Sequence, residues 1–217
     1  MNTQQARFNM VEQQIRPWQV LDPQVLNVLS HVQRELFVPQ AYQAMAYTDT
    51  DIPLGHGQAM LPPRVAARLM HDLHLTGSEK VLEIGTGSGY MTALLAGRAQ
   101  RVVSLEIDPD LANHARQNLQ RAGVTNAEVR VADGSKGATG DAPFDAIVLS
   151  GSVSEVPQAL LQQLKVGGHL IAIVGQDHVM AAILYTRTSD SAWDSKALWD
   201  HTAPRLQGFT EPTRFKF

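Results

Sequence analysis

A chain of 217 residues, with 44% apolar and 18% charged residues, has the length and composition of one large soluble domain with a real core. A net charge of −3 exerts no global pull toward nucleic acid or anionic lipid, and the absence of cysteine excludes disulfides and thiolate metal sites. The opening MNTQQARFNMVEQQIR has neither a basic n-region nor an apolar h-region, and no apolar run nears membrane-spanning length, so a cytoplasmic protein with no membrane or nucleic-acid partner is expected.

The first 78 residues read as a helical cap. A helix runs from about Thr3 to Arg16, with Phe8, Val11 and Ile15 on one face, and stops ahead of Pro17. A second opens at Asp22-Pro23, a short third includes Tyr42 to Tyr47, and a fourth follows Pro62-Pro63 to Leu75 and stops at Gly77.

From about Lys80, short apolar runs alternate with helical segments, the pattern of a parallel α/β sheet. Lys80–Ile84 is the first strand, and Gly85-Thr86-Gly87-Ser88-Gly89 turns it into a helix from Tyr90 to about Gly97. Arg101–Glu106 is the second strand. In the helix after it, Asp108 suits the N-cap, Pro109 the first turn and Gly123 the left-handed stop, while Leu111, Ala115, Leu119 and Ala122 form one apolar face. Glu128–Val131 alternates and ends at Asp133-Gly134, and Phe144–Leu149 is nearly continuous, as for a central strand buried on both faces. Ser154 is expected to cap a helix reaching Leu164, and Val166-Gly167-Gly168 to turn into a strand from His169 to Val174. Ala181–Thr188 and Ser195–Trp199 read as two later strands joined by Ser189-Asp190-Ser191. The expected organisation is one domain over 1–217, with a cap at 1–78, a Rossmann-like core at 79–190 and an edge segment at 191–217.

The turn after the first strand carries chemistry. Its glycines let the backbone pass close to a ligand, and free N–H groups at the helix start favour a carboxylate or phosphate. Glu106 closes the second strand 21 residues after Gly85, the place from which an acid reaches ribose hydroxyls. Asp133-Gly134 ends the third strand, within reach of a base. The spacing is G-x-G-x-G, with Tyr90 where a dinucleotide turn carries a small residue. A nicotinamide-binding fold, and glycines that serve packing alone, are the alternatives.

Taken together, these strand ends resemble class I S-adenosylmethionine-dependent methyltransferases. In that resemblance the glycine turn passes the methionine moiety, Glu106 holds the ribose and Asp133 approaches the adenine amino group. The order Val11-Glu12-Gln13-Gln14-Ile15, Leu36-Phe37-Val38-Pro39 and Asp51-Ile52-Pro53-Leu54-Gly55-His56-Gly57-Gln58 looks like the N-terminal half of the protein-L-isoaspartate O-methyltransferases. The stretches 81–90, 133–134, 142–147, 156–160 and 164–170 continue it in one collinear order. The resemblance implies an α/β, doubly wound, mainly parallel sheet with an antiparallel edge hairpin. It also implies S-adenosylmethionine as cofactor, held by Gln58, Glu83, Gly85, Thr86, Gly87, Gly89, Glu106, Ile107, Asp133, Gly134 and Ser150. The implied reaction is carboxyl O-methylation of an isoaspartyl-containing protein or peptide, of the protein-repair type.

The acceptor side departs from that family. Its Gly-His-Gly-Gln is followed by Thr-Ile-Ser, whose serine lies beside the transferred methyl; here Ala59, Met60 and Leu61 take those places. Ser150-Gly151-Ser152-Val153-Ser154 replaces Thr-Ala-Ala-Ala-Pro, and Pro204–Phe209 only echoes the family's Val-Arg-Phe-Val-Pro-Leu ending. A carboxylate is ionised at pH 7, so such a transfer needs no general base and no catalytic residue is assigned. His56, Ala59, Met60, Leu61 and Arg205 are expected around the acceptor, with Arg205 the candidate partner for a carboxylate. Met60 and Leu61 suit an aromatic or aliphatic body, so a small-molecule acceptor on the same scaffold is the second reading. A non-catalytic S-adenosylmethionine-binding protein is the third. His71 and His74 have no evident third ligand and read as surface histidines, so no metal is expected; Trp18, Trp193 and Trp199 read as packing residues. Nothing in the sequence sets an oligomeric state.

Overall fold

The computed structural model describes residues 2–211. The first helical stretch changes pitch along its length: α1 (Thr3–Met10) is α-helical, Val11–Ile15 widens into a π turn, and Arg16–Trp18 tightens into a 3-10 turn. Met10, Val11 and Ile15 are buried, whereas Phe8 is exposed, so the apolar face is shifted toward the C-terminal half of the stretch. The helix α2 (Pro23–His31) is capped by Asp22, whose carboxylate accepts from Gln24 N. The segment around Tyr42 is a 3-10 helix over Gln40–Met45. Next come a hairpin of β1 (Ile52–Gly55) and β2 (Gln58–Met60), then α3 (Pro63–Asp72).

The remaining strands form one seven-stranded sheet. In chain order the elements are β3 (Lys80–Ile84), α4 (Tyr90–Ala96), β4 (Arg101–Glu106), α5 (Pro109–Arg121), β5 (Ala127–Val131), β6 (Phe144–Val153), α6 (Gln158–Leu161), β7 (Leu164–Gln176), β8 (Val179–Ser189) and β9 (Ala192–Asp200). The sheet order is β5-β4-β3-β6-β7-β8-β9; β8 pairs antiparallel with both β7 and β9, and the other pairings are parallel. The antiparallel edge hairpin is therefore present, joined near Ser189–Ser191 as expected.

Alternate residues of the strands separate two apolar layers. Val81, Val102, Val129, Val148 and Ile171 face α2, α3, α4, α5 and the first helical stretch, so the cap and the core helices share one buried cluster. Leu82, Val103, Ile147, Leu149 and Leu170 face the other way, toward Leu160, Leu164, Leu206 and Phe209. That second face is thinly covered. The helix expected from Ser154 to Leu164 is the four-residue α6, begun after Pro157 without a side-chain cap, and the chain from Leu164 onward is already strand. The Ser154 hydroxyl donates instead to Thr210 O, which ties down the C-terminal segment. Leu206 and Phe209 of the C-terminal segment pack against that face.

No helix among the described residues is long and apolar enough to cross a membrane. Trp18 and Trp199 pack edge to face with ring centroids 6.0 Å apart, and the Trp193 indole donates to Leu161 O, so the three tryptophans are packing residues.

Candidate active site

Strands β3 and β6 are neighbours at the point where the strand order reverses, and ligands of open α/β sheets settle outside the carboxyl ends of such a pair. A cleft lies there, lined by Gly85, Gly87, Glu106, Ile107, Gly134 and Ser150 on the sheet side. Leu54, Gln58 and Ala59 of the hairpin line it, as do Leu206 and Gln207 of the C-terminal segment. Beside it opens a smaller cavity, which shares Leu54, Ala59, Gly85, Gly87 and Ser150 and adds Met60, Leu61, Ala66, Thr86, Ser88, Tyr90 and Met91.

Backbone conformation explains the glycine at the strand end. Gly85 has φ +88°, and a Cβ there would stand 2.5 Å from Leu206 Cδ2, so glycine both suits the left-handed backbone and leaves Leu206 its place. The N–H groups of the turn are less free than the sequence implies. Gly87 N donates to Glu106 Oε2 at 2.8 Å, Gly89 N to Thr86 O and Tyr90 N to Ser88 Oγ. The turn is held to β4, where Leu105 O also accepts from Gly85 N and Thr86 N, as well as by its own hydrogen bonds. Glu106 also accepts from Asp108 N through Oε1, which aims its carboxylate along the cleft wall.

The other wall is made by two segments that reach across. His56, at the tip of the hairpin with φ +55°, places Nδ1 2.7 Å from Asp108 Oδ2, and Gln207 Nε2 donates to His56 O. Asp108 also caps α5 through Oδ1; these bonds, led by the one from Leu111 N, hold its carboxyl below the usual range. The C-terminal segment pairs with the bulged end of β6: Ser152 N donates to Pro204 O and Leu206 N donates to Ser152 O. This seats Leu206 against Gly85 and Gly151, and Gly208 against Asp133.

Of the residues expected to hold the cofactor, Gln58, Gly85, Gly87, Glu106, Ile107, Gly134 and Ser150 line the cleft, and Thr86 lines the smaller cavity. Three do not line either. Gly89, with φ +85°, packs against Ala115 and Leu119 and serves the approach of α4 to α5. Asp133 stands exposed at the rim with Oδ1 accepting from Ser135 N, a bond that lowers its pKa. Glu83 is fully buried behind the cleft, where Thr92, Ser104 and Ser150 donate to its carboxylate.

Of the residues expected around the acceptor, Ala59, Met60 and Leu61 line the cavity, and Met60 and Leu61 are buried. His56 and Arg205 do not. His56 is drawn to the mouth by Asp108, and Arg205 donates to Gly175 O at 2.6 Å and pairs with Glu211, so it faces away from the cavity. A residue without a sequence signal does support this wall. Arg34 is fully buried, donates to Ala46 O and Leu61 O, and lies 4.5 Å over the Tyr90 ring. It fixes the main chain at Leu61 from behind. In the run Gln33-Arg34-Glu35-Leu36 it looks like any surface cation, and only the fold encloses it.

The chain matches the family model of protein-L-isoaspartate (D-aspartate) O-methyltransferases over residues 5–200. It is 43% identical over 187 residues to the protein-L-isoaspartate O-methyltransferase of Syntrophus aciditrophicus, covering 86% of each chain. To that of Methanoculleus marisnigri it is 47% identical over 169 residues, covering 78% of this chain and 77% of the relative. Among solved structures, the fold is shared with a Plasmodium falciparum chain described as a protein-L-isoaspartate O-methyltransferase and crystallised with S-adenosyl-L-homocysteine. The TM-score there is 0.78 at 22% identity, covering 95% of this chain and 99% of the other. With strand ends, sheet order and relatives in agreement, the chain belongs to the protein-L-isoaspartate O-methyltransferase family of S-adenosylmethionine-dependent enzymes.

Proposed function

We propose that this protein methylates the carboxylate of isoaspartyl residues in proteins or peptides, as a single domain in which cap, core and edge strands act together. The observation that carries the reading is the Glu106 carboxylate at the end of β4, in one cleft with Gly85 and Gly87, which carry no side chain. The residues fit S-adenosylmethionine. An ionised carboxylate only accepts hydrogen bonds, which suits the two donors of a ribose diol. Ile107 and Leu111 offer apolar surface to a flat base, and Gly134, where a Cβ would stand 2.3 Å from Ile84 Cγ2, keeps that end of the cleft narrow. When bound, the cofactor supplies an electrophilic sulfonium methyl. The chain's own residues orient the two reactants and exclude water: the hairpin and Leu206 cover the cleft, and Met60, Leu61, Ala66 and Met91 give the neighbouring cavity an apolar lining.

The same lining supports a second reading, a smaller acceptor with an apolar body. Leu61 occupies the cavity wall and Arg205 supplies no cation to it. Transfer of tritiated methyl to an isoaspartyl peptide, beside its aspartyl control, separates the two. Isoaspartyl-selective transfer supports the first; none, with intact binding of S-adenosylhomocysteine, supports the second. Leu61→Ser is expected to raise kcat/KM for the isoaspartyl peptide about tenfold, the worth of one added hydrogen bond, without changing cofactor affinity. A fall in kcat/KM on that peptide would count against the first reading.

A further inference from the structure

Behind the cleft lies a polar assembly that touches the acceptor cavity only through its ends. Glu83 is fully buried; its Oε1 accepts from Ser150 Oγ at 2.9 Å, and its Oε2 accepts from Ser104 Oγ at 2.7 Å and from Thr92 Oγ1. Ser104 Oγ in turn meets Thr86 Oγ1. The directions of these bonds follow from the chemistry of the groups. An ionised carboxylate has no proton to give, so Ser104 and Ser150 turn their hydrogens toward it, and Thr86 turns its own toward Ser104. Thr86 and Ser150 are the two ends of the relay, and both line the cavity. With Glu83 ionised they present lone pairs to whatever enters.

A neutral Glu83 reverses one end. Oε2 already receives two donors and Oε1 one, so the carboxyl hydrogen belongs on Oε1, from which it donates to Ser150 Oγ. The Ser150 O–H is then released toward the cavity. Positions 59–61 carry no hydroxyl, and among the described residues Ser150 is the hydroxyl common to the cofactor cleft and the cavity.

We propose that Ser150 is the hydroxyl that meets the methyl acceptor, and that Glu83 behind it is a positioning residue that sets whether this hydroxyl donates or accepts. The inference rests on the methyl-transfer reading above and deepens it. A carboxylate acceptor needs a donated hydrogen, so it fits the neutral state of Glu83. An acceptor that carries its own N–H or O–H fits the ionised state. Both states lie within reach of ordinary conditions, because burial outweighs the three hydroxyl bonds and lifts the Glu83 carboxyl to about 7. The groups that face it are Thr92 from α4, Ser104 and the like-charged Glu106 from β4, and Ser150 from β6.

The test measures KM and kcat for an isoaspartyl peptide from about pH 5.5 to about 8.5 in the native protein, Glu83→Gln and Ser150→Ala. Above the titration of Glu83, native KM is expected to rise about tenfold per pH unit while kcat moves less. Glu83→Gln, whose amide keeps a donor toward Ser150 at every pH, should show a low and flat KM, and Ser150→Ala a high and flat one. The same slope in Glu83→Gln as in the native protein overturns the proposal. A second arm needs no acceptor: carbon-13 NMR of the Glu83 carboxyl with S-adenosylhomocysteine bound. A titration near neutrality that moves upward in Ser150→Ala supports the relay, even if no isoaspartyl peptide is methylated and the isoaspartyl reading falls. A carboxyl that does not titrate in that range, or that ignores Ser150→Ala, overturns the proposal whatever the peptide assay gives.

Discussion

On the sheet side of the cleft, Glu106 is fixed by two backbone N–H groups and Glu83 by three hydroxyls, whereas the opposite side is made of a short hairpin and residues 204–209 joined by a few contacts. The first wall is built from polar groups whose partners are set by strand register: Glu83 lies beside Ser104 and Val148 on its two neighbours. The second is built from apolar side chains, Leu54, Met60, Leu61 and Leu206, which exclude water but prescribe no direction. A polar wall tolerates little change because each lost partner leaves a buried group unsatisfied. An apolar wall changes its shape with a single substitution and still closes. The resemblance read from the sequence divides along the same line, with matched motifs on the polar wall and departures at positions 59–61 on the apolar one.

The largest expected effect tests the polar wall through pH. Glu83 titrates near 7 in the fold against an ordinary value of 4.5, so the native state holds its proton more tightly than the unfolded chain. Stability is therefore fullest below the unfolded value, falls as pH rises from about 4.5 to about 7, and levels above, a loss on the order of 3 kcal/mol from this group. Urea unfolding across that range should show the fall in the native protein and a flatter line in Glu83→Gln. Equal slopes would mean that the carboxylate is better solvated than its enclosure implies.

Next in size is Glu106→Ala, expected to weaken S-adenosylhomocysteine binding by about 2 kcal/mol, or some thirtyfold, in calorimetry. Leu61→Ser on the other wall should leave that affinity unchanged. If both variants weaken it equally, the division into two walls is wrong.

Gly85→Ala joins the walls directly, since its Cβ would meet Leu206. The left-handed backbone adds strain, and a loss of about 1–2 kcal/mol of stability is expected in thermal or denaturant unfolding. Leu206→Ala in the same background should return part of that loss by making room. The smallest effect belongs to His56→Ala. His56 is half exposed and its bond to Asp108 is open to solvent, so no measurable change in the melting midpoint is expected. A clear drop would show that the hairpin tip is held more firmly than its exposure suggests.

Much of the polar wall was legible in the sequence. Strands β3, β4 and β5 follow from apolar runs ended by Glu106 and Asp133-Gly134, and α5 from Asp108, Pro109 and Gly123. The apolar wall was less so. β1 and β2 are only four and three residues long and flank a glycine-rich tip, so no period can establish itself and the stretch reads as a loop. The helix expected after Ser154 is cut short at its last leucine: pairing of Leu164 with Phe144 claims that residue for the sheet, while Leu160 and Leu161 stay in α6. Arg205 was read from its charge alone, although its direction depends on the bridge between Ser152 and Arg205.

Local features can be read from the chain alone: where strands end, which turns require glycine, and which acids stand at those ends, because periodicity and backbone sterics act over a few residues. Which of those groups share an environment depends on how distant segments pack. Glu83 and Glu106 are both acids at or near the end of apolar strands, yet one is enclosed among Thr92, Ser104 and Ser150 and the other lines the cleft. Glu83 lies 67 residues from Ser150 in the chain, and Arg34 lies 27 from Leu61 and 56 from Tyr90. Desolvation and hydrogen-bond direction arise only when such distant segments pack together, so the chemistry of the acceptor side belongs to the fold.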